Sequence, residues 1–179
     1  GSGTVYTAAA SDPDAGATKT FSIAGGADAA LFAINSSTGA LSFIGAPNFE
    51  GATDVGGNNV YDVTVQVSDG SLTDTQAIAV TVTPVNDNAP VITSNGGGAS
   101  AAISVAENAT LVTTVAATDA DLPGQTLTYS ISGGADAAKF TIDVNTGVLS
   151  FLTAPDYEAP TDAGTDNVYD VIVQVSDGV

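Results

Sequence analysis

The chain has 179 residues, enough for one large or two small domains, and 44% of them are apolar. Its 20 acidic and 2 basic residues give a formal net charge of −18, so it should repel nucleic acid and anionic membrane surfaces and attract cations. The absence of Cys and His excludes zinc–thiolate sites, thiol catalysis and the usual serine-hydrolase triad, and no apolar run approaches the roughly 20 residues of a membrane span.

The predicted elements, taken in chain order, are short strands. The segments TVYTAAA, TKTFSI, ALSFI and VYDVTVQVSD alternate or run apolar for the length of a strand, and Gly, Pro, Asn and Asp bound them. SSTG and VNTG indicate hairpin turns closed by Gly39 and Gly147. The only helical signal is GGADAALF, where Asp28 is placed to cap a single turn, as is Asp136 in the second copy.

The sequence repeats itself. SIAGGADAALFAINSSTGALSFIGAPNFE begins at Ser22, and SISGGADAAKFTIDVNTGVLSFLTAPDYE begins at Ser130, 108 residues later. NVYDVTVQVSDG at Asn59 and NVYDVIVQVSDG at Asn167 keep this offset. The period of one small domain predicts two tandem domains, residues 1–88 and 89–179.

About seven short strands per hundred residues are typical of a Greek-key β-sandwich. We therefore predict an all-β chain of two tandem sandwiches, the first without its first strand and the second without its last. Either the chain is a window on a longer array, which we favour because no spare strand is present to donate, or neighbouring copies complete it by strand exchange. The aromatic residues at strand positions are expected in the cores: Phe21, Phe32, Phe43, Tyr61, Tyr129, Phe140, Phe151 and Tyr169.

Acidic motifs recur with the repeat: D-x-D after the second strand, NFE or DYE, VSDG, and NDNAP between the copies. With these motifs nearly the whole chain resembles cadherin repeats, in their bacterial form. The resemblance implies calcium ions at each junction between consecutive repeats. The ligands are then expected from the base of one repeat, the linker, and the top of the next.

Carried onto this sequence, the resemblance implies one full calcium site between the copies, with at least two ions. Its expected ligands are Glu50, Asn86, Asp87, Asn88, Asp119, Asp121 and Asp177. The chemistry agrees, because calcium takes six to eight oxygen ligands and D-x-D on an extended segment directs both carboxylates to one side. Pro84 and Asn48 stand where the family pattern has carboxylates, so two ions and three ions are both compatible with the set.

The resemblance also implies two incomplete ligand sets, which should bind calcium weakly. One is the upper half of a junction, formed by Asp12, Asp14 and Asp69, and the other is a lower half, formed by Glu107, Asp156 and Glu158.

The other aspartates are predicted to serve turns or solubility. Those meant are Asp28, Asp54, Asp74, Asp136, Asp143 and Asp162. The segment from Asp143 to Gly147 is similar to the start of an EF-hand loop, but it lacks the closing Glu and is interpreted as a turn.

These observations favour a structural function: a calcium-stiffened segment of an extracellular or cell-surface repeat protein, acting as a spacer or as an adhesin or filament subunit. Its expected partners are neighbouring cadherin-like repeats of the same or an identical chain. A carbohydrate-binding module is the alternative, although Trp is absent and most aromatics are assigned to cores. A carboxylate pair can hydrolyse glycosides, but these acidic positions recur in both copies, so no enzymatic activity is predicted.

Overall fold

The structure, a computed structural model, describes residues 3–14 and 16–178. The chain divides into two compact units, Gly1–Val85 and Asn86–Val179. Regular structure in the described residues is β-strand apart from three single turns of 3-10 helix, none of them long and apolar enough to cross a membrane. The predicted all-β class with tandem sandwiches is confirmed.

The first unit contains two three-stranded antiparallel sheets. In the described residues the strands are β1 (Thr4–Thr7), β2 (Thr20–Gly25), β3 (Phe32–Ile34), β4 (Ala40–Phe43), β5 (Val60–Ser68) and β6 (Thr73–Thr81). Their order is β1-β4-β3 in one sheet and β2-β5-β6 in the other. Strand β5 is central in its sheet, because β2 pairs along one edge and β6 along the other.

The second unit repeats much of this arrangement. Its strands in the described residues are β7 (Val91–Ile92), β8 (Leu111–Thr114), β9 (Ala117–Thr118), β10 (Thr128–Gly133), β11 (Phe140–Ile142), β12 (Val148–Phe151) and β13 (Ile172–Ser176). The sheets are β8-β12-β11, β10-β13 and the small pair β7-β9, and β13 is shorter than its counterpart β5. The register of β13 on β10 is that of β5 on β2, since Ser176 faces Thr128 and Ser68 faces Thr20.

The core of the first unit joins its two sheets. Alternation along β5 turns Tyr61, Val63 and Val65 inward, and Phe32 and Phe43 meet them from the other sheet. The two Phe rings stack at 4.5 Å, and the Tyr61 ring packs edge-on to Phe43 at 5.0 Å. These contacts explain why an alternating Val-rich segment becomes the central strand.

The second core reproduces this geometry. Phe140 and Phe151 stack at 4.5 Å and Tyr169 lies 5.1 Å from Phe151. Tyr129 and Tyr169 are only half-buried, whereas Tyr61 is almost fully buried. The expected core role is therefore confirmed for the aromatic residues apart from Tyr129, which is half-buried and does not belong to the second core cluster. The second core is the more open of the two.

The two predicted hairpin turns are present. Gly39 and Gly147 have φ of 72° and 69°, a region that glycine adopts without strain. A Cβ at either position would collide with the carbonyl oxygen of Ala8 or Val115. Asp143 also behaves as predicted, since its carboxylate accepts the N–H groups of Thr146 and Asn145 within its own turn.

The single turn predicted near Asp28 is a 3-10 turn, Ala29–Leu31, but the Asp28 side chain does not cap it. Asp28 is 3% exposed, and its two carboxylate oxygens accept the N–H groups of Val55 and Asp62, each at 2.7 Å. The two bonds form a clamp that fastens the loop between β4 and β5 to the start of β5. The prediction that Asp28 serves a local turn or solubility is therefore wrong.

Asp136 makes the same clamp in the second unit. It is 2% exposed and accepts the N–H groups of Ala163 at 2.8 Å and Asp170 at 3.0 Å. Its side chain does not cap the turn Ala137–Lys139. The partners lie 27 and 34 residues away along the chain, so the prediction of a turn or surface role is wrong here as well.

Asp54 and Asp162 do serve local turns, but they are buried rather than at the surface. Asp54 accepts the N–H groups of Asn58 and Asn59, each at 3.0 Å, and the bond from Asn58 is the main cause that holds its pKa below the usual range. Burial acts to raise the pKa of Asp162, yet the N–H groups of Asp166 and Asn167 bring it below the usual range.

We expect Asp28→Ala to lower the free energy of unfolding of the first unit by about 2 kcal/mol, because the main-chain N–H groups of Val55 and Asp62 lose the buried carboxylate that accepts them. Urea unfolding with a chelator present would measure this. Asp74→Ala removes an exposed acid from β6 and is the matched control, with a change within about 0.5 kcal/mol. Equal midpoints for the two variants would contradict the clamp.

A second prediction concerns the stability of the chain at low pH. Because folding lowers the pKa of Asp54 and Asp162, both contribute stability above the ordinary value of 3.8, and this is lost as the pH falls through the folded pKa. Asn at both positions keeps an acceptor oxygen without titrating. Between about pH 6 and about pH 3 the doubly substituted chain should therefore lose less stability than the wild type. Parallel losses in urea midpoint would count against this assignment.

Candidate metal centre

The linker residues at the start of the second unit are fixed against the D-x-D motif of that unit. The backbone N–H of Asn88 donates to both carboxylate oxygens of Asp121, at 3.2 and 3.1 Å. Its side-chain amide donates to Asp121 Oδ1 at 2.6 Å and to Asp87 Oδ1 at 3.0 Å. Asn88, predicted as a ligand, thus also organises the two carboxylates on either side of it.

Asp121 is the most buried acid of this group, at 1% exposed. The side-chain amide of Asn88 is the main cause that lowers its pKa, in spite of burial. Asp121 is therefore charged at neutral pH. A buried charge of this kind is stable only where donors or a cation compensate it.

A hydrogen bond within the D-x-D motif holds the Asp119 carboxylate close to Asp121. The Asp121 N–H donates to Asp119 Oδ1 at 2.8 Å. The other oxygen, Asp119 Oδ2, is buried and has no hydrogen-bond partner among the described residues. A buried carboxylate oxygen without a donor is costly, and a cation would remove that cost.

Three carboxylates converge here. Asp119, Asp121 and Asp177 each have an oxygen within 4.8 Å of the other two. Two oxygens that share a calcium ion at roughly 2.3–2.6 Å lie at most about 5 Å apart, so the spacing fits one ion. The donor set also fits, because calcium prefers carboxylate and amide oxygens and needs no nitrogen or sulfur.

The side-chain amide of Asn86 faces the same carboxylates. With its nitrogen turned inward it donates to Asp177 Oδ2 at 3.0 Å and to Asp121 Oδ2 at 2.5 Å. A rotation of the amide by half a turn would present its oxygen instead. Asn86 is therefore suited to neutralise the cluster by donation or to join a cation as a ligand.

Glu50 lies in the loop between β4 and β5 of the first unit. Its N–H donates to Asn48 Oδ1 at 3.3 Å, and the carbonyl of the preceding residue, Phe49, accepts from the side-chain amide of Asn59 at 2.9 Å. The main chain before Glu50 is thus held within its own unit. Its membership of the calcium site stays a prediction.

The lower half-site residues also converge. Glu107, Asp156 and Glu158 have carboxylate oxygens within 4.8 Å of one another, and all three are exposed. The N–H of Tyr157 donates to Glu107 Oε2 at 3.2 Å, and the N–H of Glu158 donates to Asp156 Oδ1 at 3.0 Å.

The upper half-site is less well assembled. Asp14 donates its N–H to Asp12 Oδ1 at 2.8 Å, as in the D-x-D of the second unit. Asp69 instead accepts the N–H groups of Leu72 and Ser71, each at 2.7 Å, and these bonds lower its pKa. Within the part of the chain that the structure describes, these aspartates join no group of three acids spaced for a metal ion.

The chain is similar to several cadherin-type proteins. A family model described as "Cadherin domain" matches residues 101–179. Human Protocadherin Fat 1 is 34% identical over 177 residues, which cover 95% of this chain and 4% of that protein. Halomucin of Haloquadratum walsbyi is 51% identical over 35 residues, or 20% of this chain.

The solved structure of the "Protocadherin gammaB7 EC3-6 cis-dimer" resembles the chain with a TM-score of 0.67 and 25% identity. The match covers 98% of this chain and 42% of that one. These similarities support cadherin-like repeats and confirm the fold, while the bacterial form stays a prediction. The chain spans only 4% of the length of Protocadherin Fat 1.

Proposed function

We propose that this chain is a calcium-binding structural segment of an extracellular or cell-surface repeat protein, where it serves as a spacer or as part of an adhesin or surface filament. Two observations carry the proposal: Asp119, Asp121 and Asp177 converge, and one buried oxygen of Asp119 has no donor among the described residues. A resembling structure, that of Protocadherin Gamma B2, is described as "extracellular cadherin domains 3-6". The comparisons thus favour an extracellular adhesion-type repeat.

The proposed ligand set is that of the sequence prediction, with at least two calcium ions. The second unit supplies six of the seven ligands: Asn86, Asp87, Asn88, Asp119, Asp121 and Asp177. Glu50 of the first unit is the seventh. Its carboxylate is what makes the ions a link between the units rather than a local site in one of them.

The proposed mechanism is electrostatic. Clustered carboxylates repel one another, and the N–H of Asn88 offsets only part of that charge. Calcium, when bound, supplies the missing positive charge and accepts oxygens from several segments at once. Linker residues and loops that contribute those oxygens then lose freedom relative to one another, which would stiffen the chain.

The proposed partners are neighbouring cadherin-like repeats of the same or an identical chain. No observation favours the carbohydrate-binding alternative, because the stacked aromatic pairs Phe32–Phe43 and Phe140–Phe151 lie in the cores. A spacer needs no catalysis, and none is proposed.

Calorimetric titration tests the calcium site. The titration of the wild type should show heat changes that fit at least two bound calcium ions. Their dissociation constants should be about 0.1–1 mM, as in extracellular modules, or lower. Asp121→Asn keeps an acceptor for Asn88 but removes a central charge, so it should weaken the tightest site more than tenfold. Asp74→Asn removes an equal charge from exposed β6 and should bind as the wild type does. No heat from the wild type at millimolar calcium would defeat the proposal.

Small-angle scattering tests the stiffening. The distribution of interatomic distances should be narrower in calcium than in chelator, because the linker loses freedom. Asp121→Asn should show a much smaller difference between the two conditions. If the wild-type curves coincide although calcium binds, the site is local and the spacer mechanism is wrong.

A further inference from the structure

The loop that carries Glu50 is held by a relay of hydrogen bonds that starts at a buried carboxylate. Asp54, at 6% exposed, accepts the N–H of Asn59 at 3.0 Å. Asn59 has a φ of 61°, in the left-handed region, which Asn adopts more readily than most residues. The carboxylate and the left-handed backbone together fix the conformation from which the Asn59 side chain reaches across the loop.

The side-chain amide of Asn59 donates to the carbonyl of Phe49 at 2.9 Å. Its own oxygen, Oδ1, is buried without a partner among the described residues, so among those residues the Phe49 carbonyl is what sets the orientation of the amide. The bond pins the peptide between Phe49 and Glu50. Together with the bond from the Glu50 N–H to Asn48, it fixes the Glu50 backbone, although Asn59 is nine residues further along the chain.

The second unit contains the same relay beside the equivalent glutamate. Asp162 accepts the N–H of Asn167 at 3.1 Å, and Asn167 has a φ of 64°. Its side-chain amide donates to the carbonyl of Tyr157 at 3.1 Å, immediately before Glu158. In both units the pinned peptide therefore precedes a glutamate that the sequence assigns to a calcium cluster.

We propose that Asn59 is a positioning residue for calcium: it does not contact the ion, but it holds the Phe49–Glu50 peptide so that Glu50 is presented as a ligand. The inference rests on the proposed calcium function. Its physical basis is preorganisation, because a loop that is fixed before binding loses less conformational entropy when the ion arrives. Partners that orient a metal ligand typically change metal affinity by 10–100-fold when they are removed.

Asn59→Gly isolates this role. Glycine adopts positive φ without strain and keeps the backbone N–H that Asp54 accepts, so only the amide contact with Phe49 is lost. Asn167→Gly is the matched control, because it deletes the same bond at Tyr157, beside Glu158 rather than Glu50. Both variants of the full 179-residue chain would be titrated with calcium and unfolded in urea with chelator.

The two variants should lose similar stability in chelator, but only Asn59→Gly should weaken the tightest calcium binding, by roughly tenfold. A double-mutant cycle with Glu50→Gln adds a readout that a merely structural residue would not move. If Asn59 acts through Glu50, then Asn59→Gly should have no further effect on affinity in the Glu50→Gln chain. Should Asn59→Gly fail to fold, Asn59→Asp removes the donor and keeps a residue suited to positive φ.

Three outcomes overturn the inference, and they are distinguishable. Wild-type affinity in Asn59→Gly means that Asn59 is structural only. Equal weakening by Asn59→Gly and Asn167→Gly means a global effect, and additive losses in the cycle mean that Glu50 is not the residue positioned. Absence of calcium binding by the wild type would instead defeat the proposed function itself, and this inference with it.

Discussion

Buried aspartates that accept main-chain N–H groups hold the irregular parts of both units in place. Asp28 binds a long loop to the start of β5, Asp136 binds the equivalent loop to Asp170 just before β13, and Asp54 and Asp162 close the turn inside each loop. The long loops carry no ladder of their own, so their polar groups need other partners. Carboxylates supply them, since one side chain accepts from two N–H groups at once.

The same chemistry prepares the candidate metal centre. Asp121 binds the linker through the N–H of Asn88, just as Asp28 binds a loop, but here a second and a third carboxylate approach from Asp119 and Asp177. The donors then no longer suffice, and one oxygen of Asp119 remains without any among the described residues. In a clamp the N–H groups suffice for the carboxylate oxygens, whereas in the candidate cation site the carboxylate oxygens outnumber the available donors.

The fold could be predicted from the sequence because its signals are local and occur in both copies of the repeat. Alternating apolar residues predict the strands, and Gly39 and Gly147 predict equivalent turns in the two copies. Period two predicts that the D-x-D carboxylates lie on one side, and Asp119 and Asp121 do have oxygens within 4.8 Å of each other. The clamp of Asp28 could not be predicted, because its partners are set by how the sheets bring distant segments together. In the sequence Asn59 is indistinguishable from other turn residues. Its bond to the Phe49 carbonyl depends on a left-handed backbone conformation that only the structure shows.

The burial of these aspartates affects how the stability of this acidic chain depends on salt concentration. Of the acids, Asp28, Asp54, Asp121, Asp136 and Asp162 are buried. Mobile ions screen exposed charges over about 8–10 Å at physiological strength but reach buried ones poorly. A protein with this composition would ordinarily be expected to gain stability steeply as monovalent salt is added. Here part of the negative charge already contributes to folding through hydrogen bonds that sodium or potassium cannot replace, so the chain should tolerate dilute media better than its net charge implies.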